Sequence, residues 1–280
     1  MAKRKPLKLG FSPCPNDTFI FGALALKLIP LHHSYSLFIE DVETLNQRAF
    51  KKELDVTKLS FATFAMQTDT YQLLPVGAAL GFGCGPLLVA RKRELDLSLA
   101  RIGIPGMMTT AAFLFRIFFP EAQNLICKRY DEIIPALKEG KIEAGLLIHE
   151  GRFVYKQEGL ICLADLGRLW EKTYGLPIPL GGIFIKRTLP SPLKESVCSD
   201  IKESLYFAKN NSEKISDFIR SYAQELDQEV ISCHLRTFVN EYTYHLGAKG
   251  REAVDLFLEL AVKKGLIKVF QKDYFWEACP

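Results

Sequence analysis

The stretch Leu7-Lys-Leu-Gly-Phe-Ser-Pro-Cys-Pro-Asn-Asp-Thr-Phe-Ile-Phe-Gly-Ala-Leu-Ala-Leu-Lys-Leu28 decides the fold class. Leu7 to Ser12 alternates apolar and polar residues with the two-residue period of a strand. Pro13 and Pro15 stiffen a turn around Cys14, and Asn16 or Asp17 is placed to cap an apolar helical run that reaches Leu28. The same unit recurs downstream. Tyr35–Glu40 fits a strand, Asp41 the cap of a helix ending near Glu53, and Val56–Leu59 a strand that delivers Ser60 to another helix start.

Leu87–Ala90 and Arg101–Ile104 continue as strands, with the charged segment Arg91–Asp96 as a crossover. A helix near Thr109, strands at Leu125–Cys127, Ala144–Ile148, Leu160–Leu163 and Leu180–Ile185, a helix over Asp131–Glu139 and a short one from Asp165 through Trp170 complete the alternation. From Ser191 the periodicity turns helical, over Asn211–Tyr222, Asp227–Val239 and Gly250–Lys264. Alternating strands and helices predict an α/β protein with mostly parallel sheets, and the terminal run of helices argues against a closed barrel. We expect two lobes and a helical C-terminal region: residues 1–91 and 187–280 form one discontinuous lobe, 92–186 an inserted one, and the cleft lies between them. No internal repeat or low-complexity tract is visible in the sequence.

In 280 residues, 48% hydrophobic and 24% charged, a sizeable core is available and global disorder is excluded. Thirty-six Lys and Arg against thirty-two Asp and Glu leave +4, scattered among acidic residues. The densest basic cluster, Lys3-Arg4-Lys5, runs straight into Pro6, so no nucleic-acid partner is expected. Thr70–Ala90 carries no charge, but Pro75, Gly77, Gly81, Gly83, Gly85 and Pro86 break it too often for a membrane helix; it predicts turns and buried strands. Lys8 and the Pro13–Asp17 segment interrupt any secretory signal, which points to the cytoplasm. The seven cysteines show no Cys-x-x-Cys spacing, so neither zinc nor a disulfide framework is expected.

Gly81-Phe-Gly-Cys-Gly-Pro86 lacks G-x-G-x-x-G spacing and is followed by a strand, which makes it a turn permitting close backbone approach. Thr109 and Thr110 stand at a strand-to-helix junction, where hydroxyls and free N–H groups suit either helix capping or an anion. Lys58, Leu59 and Ser60 occupy the same kind of junction in the other lobe. His149 follows the buried strand at its carboxyl end, where open α/β sheets bind ligands. Glu150 is adjacent, but neighbouring strand residues point oppositely. His32 and His33 fall in a polar turn, and His234 and His245 in the helical tail; none has metal-ligand spacing.

Together Phe11-Ser-Pro-Cys-Pro-Asn-Asp-Thr-Phe-Ile-Phe21, Glu40-Asp-Val-Glu-Thr-Leu-Asn46, Thr57-Lys-Leu-Ser60, Thr109-Thr-Ala111, Gly145-Leu-Leu-Ile-His-Glu150 and Leu176-Pro-Ile-Pro-Leu-Gly181 resemble the 1,4-dihydroxy-6-naphthoate synthases of the futalosine route to menaquinone. The resemblance covers nearly the whole chain. It departs at Leu169-Trp170-Glu171, where the family often has Trp-Trp-Glu, and at Gly151, where it has Ser. It implies a two-lobed, type II periplasmic-binding-protein-like fold and a cofactor-free, metal-free carbon–carbon lyase. The implied substrate is cyclic dehypoxanthine futalosine, cleaved to 1,4-dihydroxy-6-naphthoate and dihydroxyacetone. By the same resemblance His149 is the base, and Lys58, Leu59, Ser60, Thr109 and Thr110 contact the substrate, Lys58 through its backbone.

Two other readings stay open. The same fold serves small-anion binding or sensor proteins, and a chorismate dehydratase of the same pathway shares it. The Ser-Pro-Cys-Pro-Asn-Asp and Ile-His-Glu motifs favour the synthase.

Overall fold

A computed structural model describes residues 5–224 and 227–277; Lys3 and Arg4 of the basic cluster, and Cys279, lie outside them. The chain runs β1 (Leu7–Phe11), α1 (Pro15–Ala25), β2 (Tyr35–Ile39), α2 (Val42–Phe50), β3 (Val56–Ser60), α3 (Phe61–Ala65), β4 (Tyr71–Leu73), β5 (Ala79–Gly81) and β6 (Leu87–Ala90). It continues through β7 (Ile102–Ile104), α4 (Thr110–Phe118), β8 (Leu125–Cys127), α5 (Ile133–Lys138), β9 (Ala144–Leu147), α6 (Gly151–Val154), β10 (Ile161–Asp165), α7 (Leu166–Tyr174) and β11 (Ile178–Lys186). The helical region comprises α8 (Ser191–Asn210), α9 (Ser216–Tyr222), α10 (Gln228–Phe238), α11 (Glu241–Tyr244) and α12 (Gly247–Lys263).

Local chemistry sets most helix starts. Asp41 accepts from Glu43 N and Thr44 N, and Asp165 from Gly167 N and Arg168 N, satisfying N–H groups that have no intrahelical partner. The start of α1 differs from the expectation that Asn16 or Asp17 caps it. Pro15 takes the first helical position, where its fixed φ and missing N–H cost nothing, so Cys14 becomes the cap and Asn16 and Asp17 fall inside the first turn.

The sheets are mixed rather than mostly parallel. The first has the order β2-β1-β3-β11-β4, with β5 also on β11; the second reads β8-β7-β9-β6-β10. In each, the three strands earliest in its parallel run stand second-first-third, and the next strand lies antiparallel to the third. That repeat exists in topology without any counterpart in sequence. The antiparallel members, β11 and β6, are the strands that arrive from the opposite sheet, which is why they run against the rest.

Sheet membership also moves the expected boundary. Leu87–Ala90, placed with the first lobe, pairs with β9 and β10; Ile178–Lys186, placed with the second, pairs with β3, β4 and β5. Periodicity identifies a strand but not its partner. The chain therefore crosses between sheets through residues 82–86 and returns through α7 and residues 175–177. The two halves also share one apolar core: Phe257 of α12 meets Phe61 at 6.2 Å from the first half, and Phe113 at 5.0 Å and Trp170 at 6.1 Å from the second.

The outgoing crossing is the glycine-rich turn, and its close approach is real. A Cβ on Gly85 would stand 2.2 Å from Gly167 N and 2.3 Å from its Cα, both backbone atoms of α7. Gly85→Ala is therefore expected to cost about 3 kcal/mol, the upper end for overpacking. Gly83→Ala, with open space around it but a φ of 67°, should cost only about 1 kcal/mol for left-handed backbone. Urea unfolding of both variants checks the order.

Candidate active site

Because strands one and three of each sheet point the same way, the carboxyl ends of β1, β3, β7 and β9 converge between the sheets. They enclose a cavity of about 90 Å³, and Lys58, Leu59, Ser60, Thr109, Thr110 and His149, all singled out from the sequence, line it. Ser12, Asn16, Asp17, Arg152 and Phe238 contribute further wall.

Lys58 does not turn its side chain away. It is 5% exposed, and Nζ donates to Asp17 Oδ1 at 2.7 Å and to Gly77 O at 3.3 Å. The remaining capacity of the Asp17 carboxylate is filled by Asn16 Nδ2 (2.8 Å) on Oδ1, and by Ser12 N (3.1 Å) and Oγ (2.7 Å) on Oδ2. A buried ion pair offsets its desolvation only when the leftover lone pairs are satisfied in this way.

The hydroxyls at the two facing junctions are committed to the protein. Ser60 Oγ caps α3 by accepting from Thr63 N and donates to Met108 O at 2.8 Å across the cleft. Thr63 Oγ1 donates to the same carbonyl at 2.9 Å. Thr109 Oγ1 caps α4, accepting from Ala112 N (3.2 Å) while donating to Gly106 O (2.8 Å). Thr110 Oγ1 donates to Leu180 O (2.8 Å) and accepts from Ala62 N (3.3 Å). Capping therefore accounts for the Thr109 hydroxyl, and the first-turn amides of Thr110 and Ala111 are ones that no helical carbonyl reaches.

His149 follows β9 with a φ of 52°, left-handed backbone for an L residue. Its ring is half-buried; Nε2 is out of solvent contact and has no hydrogen-bond partner among the described residues. Burial pushes the imidazole down to about 4; the Asp17 and Asp41 carboxylates oppose that shift and the Lys58 cation adds to it. The edge of Tyr130 packs on the ring, with centroids 5.1 Å apart. Glu150 is buried and lines a different cavity with Tyr130, the left-handed turn at His149 having parted the two side chains. Cys14 is buried, and burial raises its thiol well above the ordinary value, which makes it packing rather than nucleophile.

Sequence reasoning missed His234. α10 brings it under the cleft, fully buried, with Nε2 2.9 Å from Asn16 Oδ1 and its ring 6.3 Å from that of His149 at 18° between planes. The available signal was its spacing from Phe238, one turn later on the same helix face; the two rings lie 4.6 Å apart. Arg152, one turn beyond His149, bonds Asp165 at 2.9 Å and also reaches Gly85 O, tying α6 to β10 and to the crossing. No described helix is long and apolar enough to cross a membrane, and no described group of His, Cys, Asp and Glu is placed to hold a metal ion.

The profile of a family described as "Menaquinone biosynthesis" matches residues 7–263. A 1,4-dihydroxy-6-naphthoate synthase of Thermus thermophilus is 43% identical over 262 residues, 93% of this chain and 95% of that one. A solved structure of an Archaeoglobus fulgidus protein superposes with a TM-score of 0.89 at 34% identity, covering 94% of this chain and 98% of the other. The alkanesulfonate-binding protein SsuA of Xanthomonas axonopodis pv. citri superposes with a TM-score of 0.69 at 13% identity, covering 99% of both chains. This last likeness concerns the fold alone: the architecture is that of the periplasmic binding proteins.

Removing Asp17 leaves the Lys58 ammonium buried and unpaired, so Asp17→Ala should lose about 3–5 kcal/mol of stability. Asp17→Leu combined with Lys58→Met removes both charges and should recover much of that loss. Chemical denaturation of the single and double variants measures the difference.

Proposed function

Since this chain belongs to the menaquinone biosynthesis family, we propose that it is a 1,4-dihydroxy-6-naphthoate synthase, a carbon–carbon lyase whose base is His149. The reading's substrate is cyclic dehypoxanthine futalosine and its second product dihydroxyacetone, in the cytoplasm. One observation carries the assignment of the base: the His149 Nε2, out of solvent contact and with no hydrogen-bond partner among the described residues, stands in the cavity wall.

The chemistry asks little more. Nε2 takes the proton whose removal starts fragmentation, the carbon–carbon bond to the three-carbon fragment breaks, and its electron pair is drawn into the new aromatic ring. No electrons leave the system, so no redox partner is required. The amides of Thr110 and Ala111, at the positive end of α4, hold the substrate carboxylate. Leu59 and Phe238 supply apolar wall, and Lys58, already neutralised by Asp17, keeps that wall rigid rather than acting as a free cation. Ser60 and Thr110 join the halves across the cleft, so we read the two sheets with their helices as lobes that part to admit substrate and close behind it.

The sign of the pH dependence follows from the neutral form being the base. An ordinary histidine would impose an acid limb near ~6.5, whereas burial moves it down toward about 4. We expect the acid limb of kcat/KM, which reports the free enzyme, well below 6.5. The limb of kcat should lie above it, because a bound carboxylate favours the imidazolium.

His149→Asn should lower turnover of the cyclic futalosine derivative by about 10³- to 10⁴-fold, the upper range for a general base, while product still binds. Activity within tenfold of the parent overturns the assignment of the base. Conversion of chorismate instead, or of neither compound, favours the dehydratase or sensor reading. Small-angle scattering with and without product should show a more compact particle with product; identical curves count against lobe closure.

A further inference from the structure

Beneath the cleft lies a buried imidazole that the reaction above does not use, and three residues fix its protonation. Lys58 is a cation, so Asp17 is a carboxylate that can only accept. Asp17 Oδ1 lies 2.8 Å from Asn16 Nδ2, which sets the Asn16 amide with Oδ1 turned toward His234 Nε2 at 2.9 Å. An amide oxygen also only accepts, so Nε2 of His234 carries the proton and Nδ1 the lone pair. Nδ1 is buried and has no partner among the described residues. Phe153 and Phe238 pack on the ring at 6.2 and 4.6 Å, and the ring lies nearly parallel to that of His149.

We propose that His234 is a positioning residue for His149: the Lys58-Asp17-Asn16 chain fixes its tautomer and ring plane, and that ring shields His149 from water and holds it in the orientation the base needs. The proposal rests on His149 being the base. The groups facing His149 are Asp17, Asp41 and Lys58 from the first-sheet side, the Tyr130 ring from the second, and His234 from α10. Facing His234 are His149 and Lys58; Arg152, on the helix packed against α10, is committed to Asp165. A proton on both imidazoles would set like charges side by side in a dry site, so His234 stays neutral while His149 takes the substrate proton.

The test pairs His234→Gln with His234→Phe. Gln removes the flat ring and admits water: kcat should fall at least about tenfold with KM within about twofold, and the acid limb of kcat/KM should rise by about one pH unit toward 6.5. Phe keeps the ring and should hold the limb within about 0.3 unit of the parent. A limb unmoved in His234→Gln, or moved equally in both variants, overturns the proposal, even if both melt early. A second measurement needs no variant. Nitrogen-15 spectra of the imidazoles should show His234 neutral and protonated on Nε2 from pH 5 to 8; an Nδ1–H tautomer, or titration near 6.5, overturns the proposal. Full turnover by His149→Asn would instead overturn the base assignment and leave the His234 spectrum as it stands, so the two failures are separable.

Discussion

A lysine ammonium cannot be left unpaired inside a protein, and the position of Lys58 in the middle of β3 makes that rule organise the cleft. Its partner Asp17 has to lie in the first turn of α1, which fixes where that helix starts, and Pro15 at the first helical position delivers it there. The carboxylate then gathers Ser12 and Asn16, and Asn16 reaches His234. One neutralised charge thus connects the ends of β1 and β3 to a helix more than two hundred residues away in sequence. Lys58 spends its charge on Asp17 and Arg152 spends its own on Asp165, so neither cation of the cavity wall is left unpaired.

The repeated strand order brings residues from distant parts of the chain to one place, and the two halves differ at the joint that follows the third strand. After the third strand of the first sheet, Ser60 keeps extended backbone (φ −69°, ψ 148°) and starts a helix at once. After the third strand of the second, His149 turns left-handed. That conformation costs about 1–2 kcal/mol for a residue with a Cβ, and it is tolerated where the surrounding packing over-determines it, as at many functional sites. Its effect here is to put His149 in the cleft wall while Glu150 lines the cavity behind.

How much of this was legible depended on whether the signal was local. Asp41, Ser60, Thr109 and Asp165 cap the helices that the sequence reading placed after them, because a cap involves residues only two or three apart. Strand partners involve no such local pattern, so nothing near β6 or β11 in the sequence reveals that each pairs in the sheet opposite to the strand before it in the chain, or that it runs antiparallel there. Lys58 was misjudged because β3 is buried on both faces, which removes the polar-out alternation that would have revealed where its side chain goes. His234 looked like a residue of the helical tail because nothing near it in sequence refers to Asn16 or His149. The motif resemblance reached the family and the six residues of the cavity wall by another route, and it too passed over His234.

Burying two imidazoles at the cleft has a cost in stability. His149 is held down by burial, and His234 is held well below the ordinary value by burial and then by His149 and Lys58. Between their folded values and about 6.5 the unfolded chain binds protons that the folded one refuses, so stability falls as pH drops through that window. His32 acts in the opposite sense. Its hydrogen bond to Asp200 raises it, so its contribution is complete below the unfolded value and lost as pH rises through the raised one. The opposing groups are unequal: His32 is largely exposed and solvent screens it, whereas His149 is half-buried and His234 fully buried. The burial that lowers both imidazoles therefore makes the cleft a source of acid sensitivity in the fold.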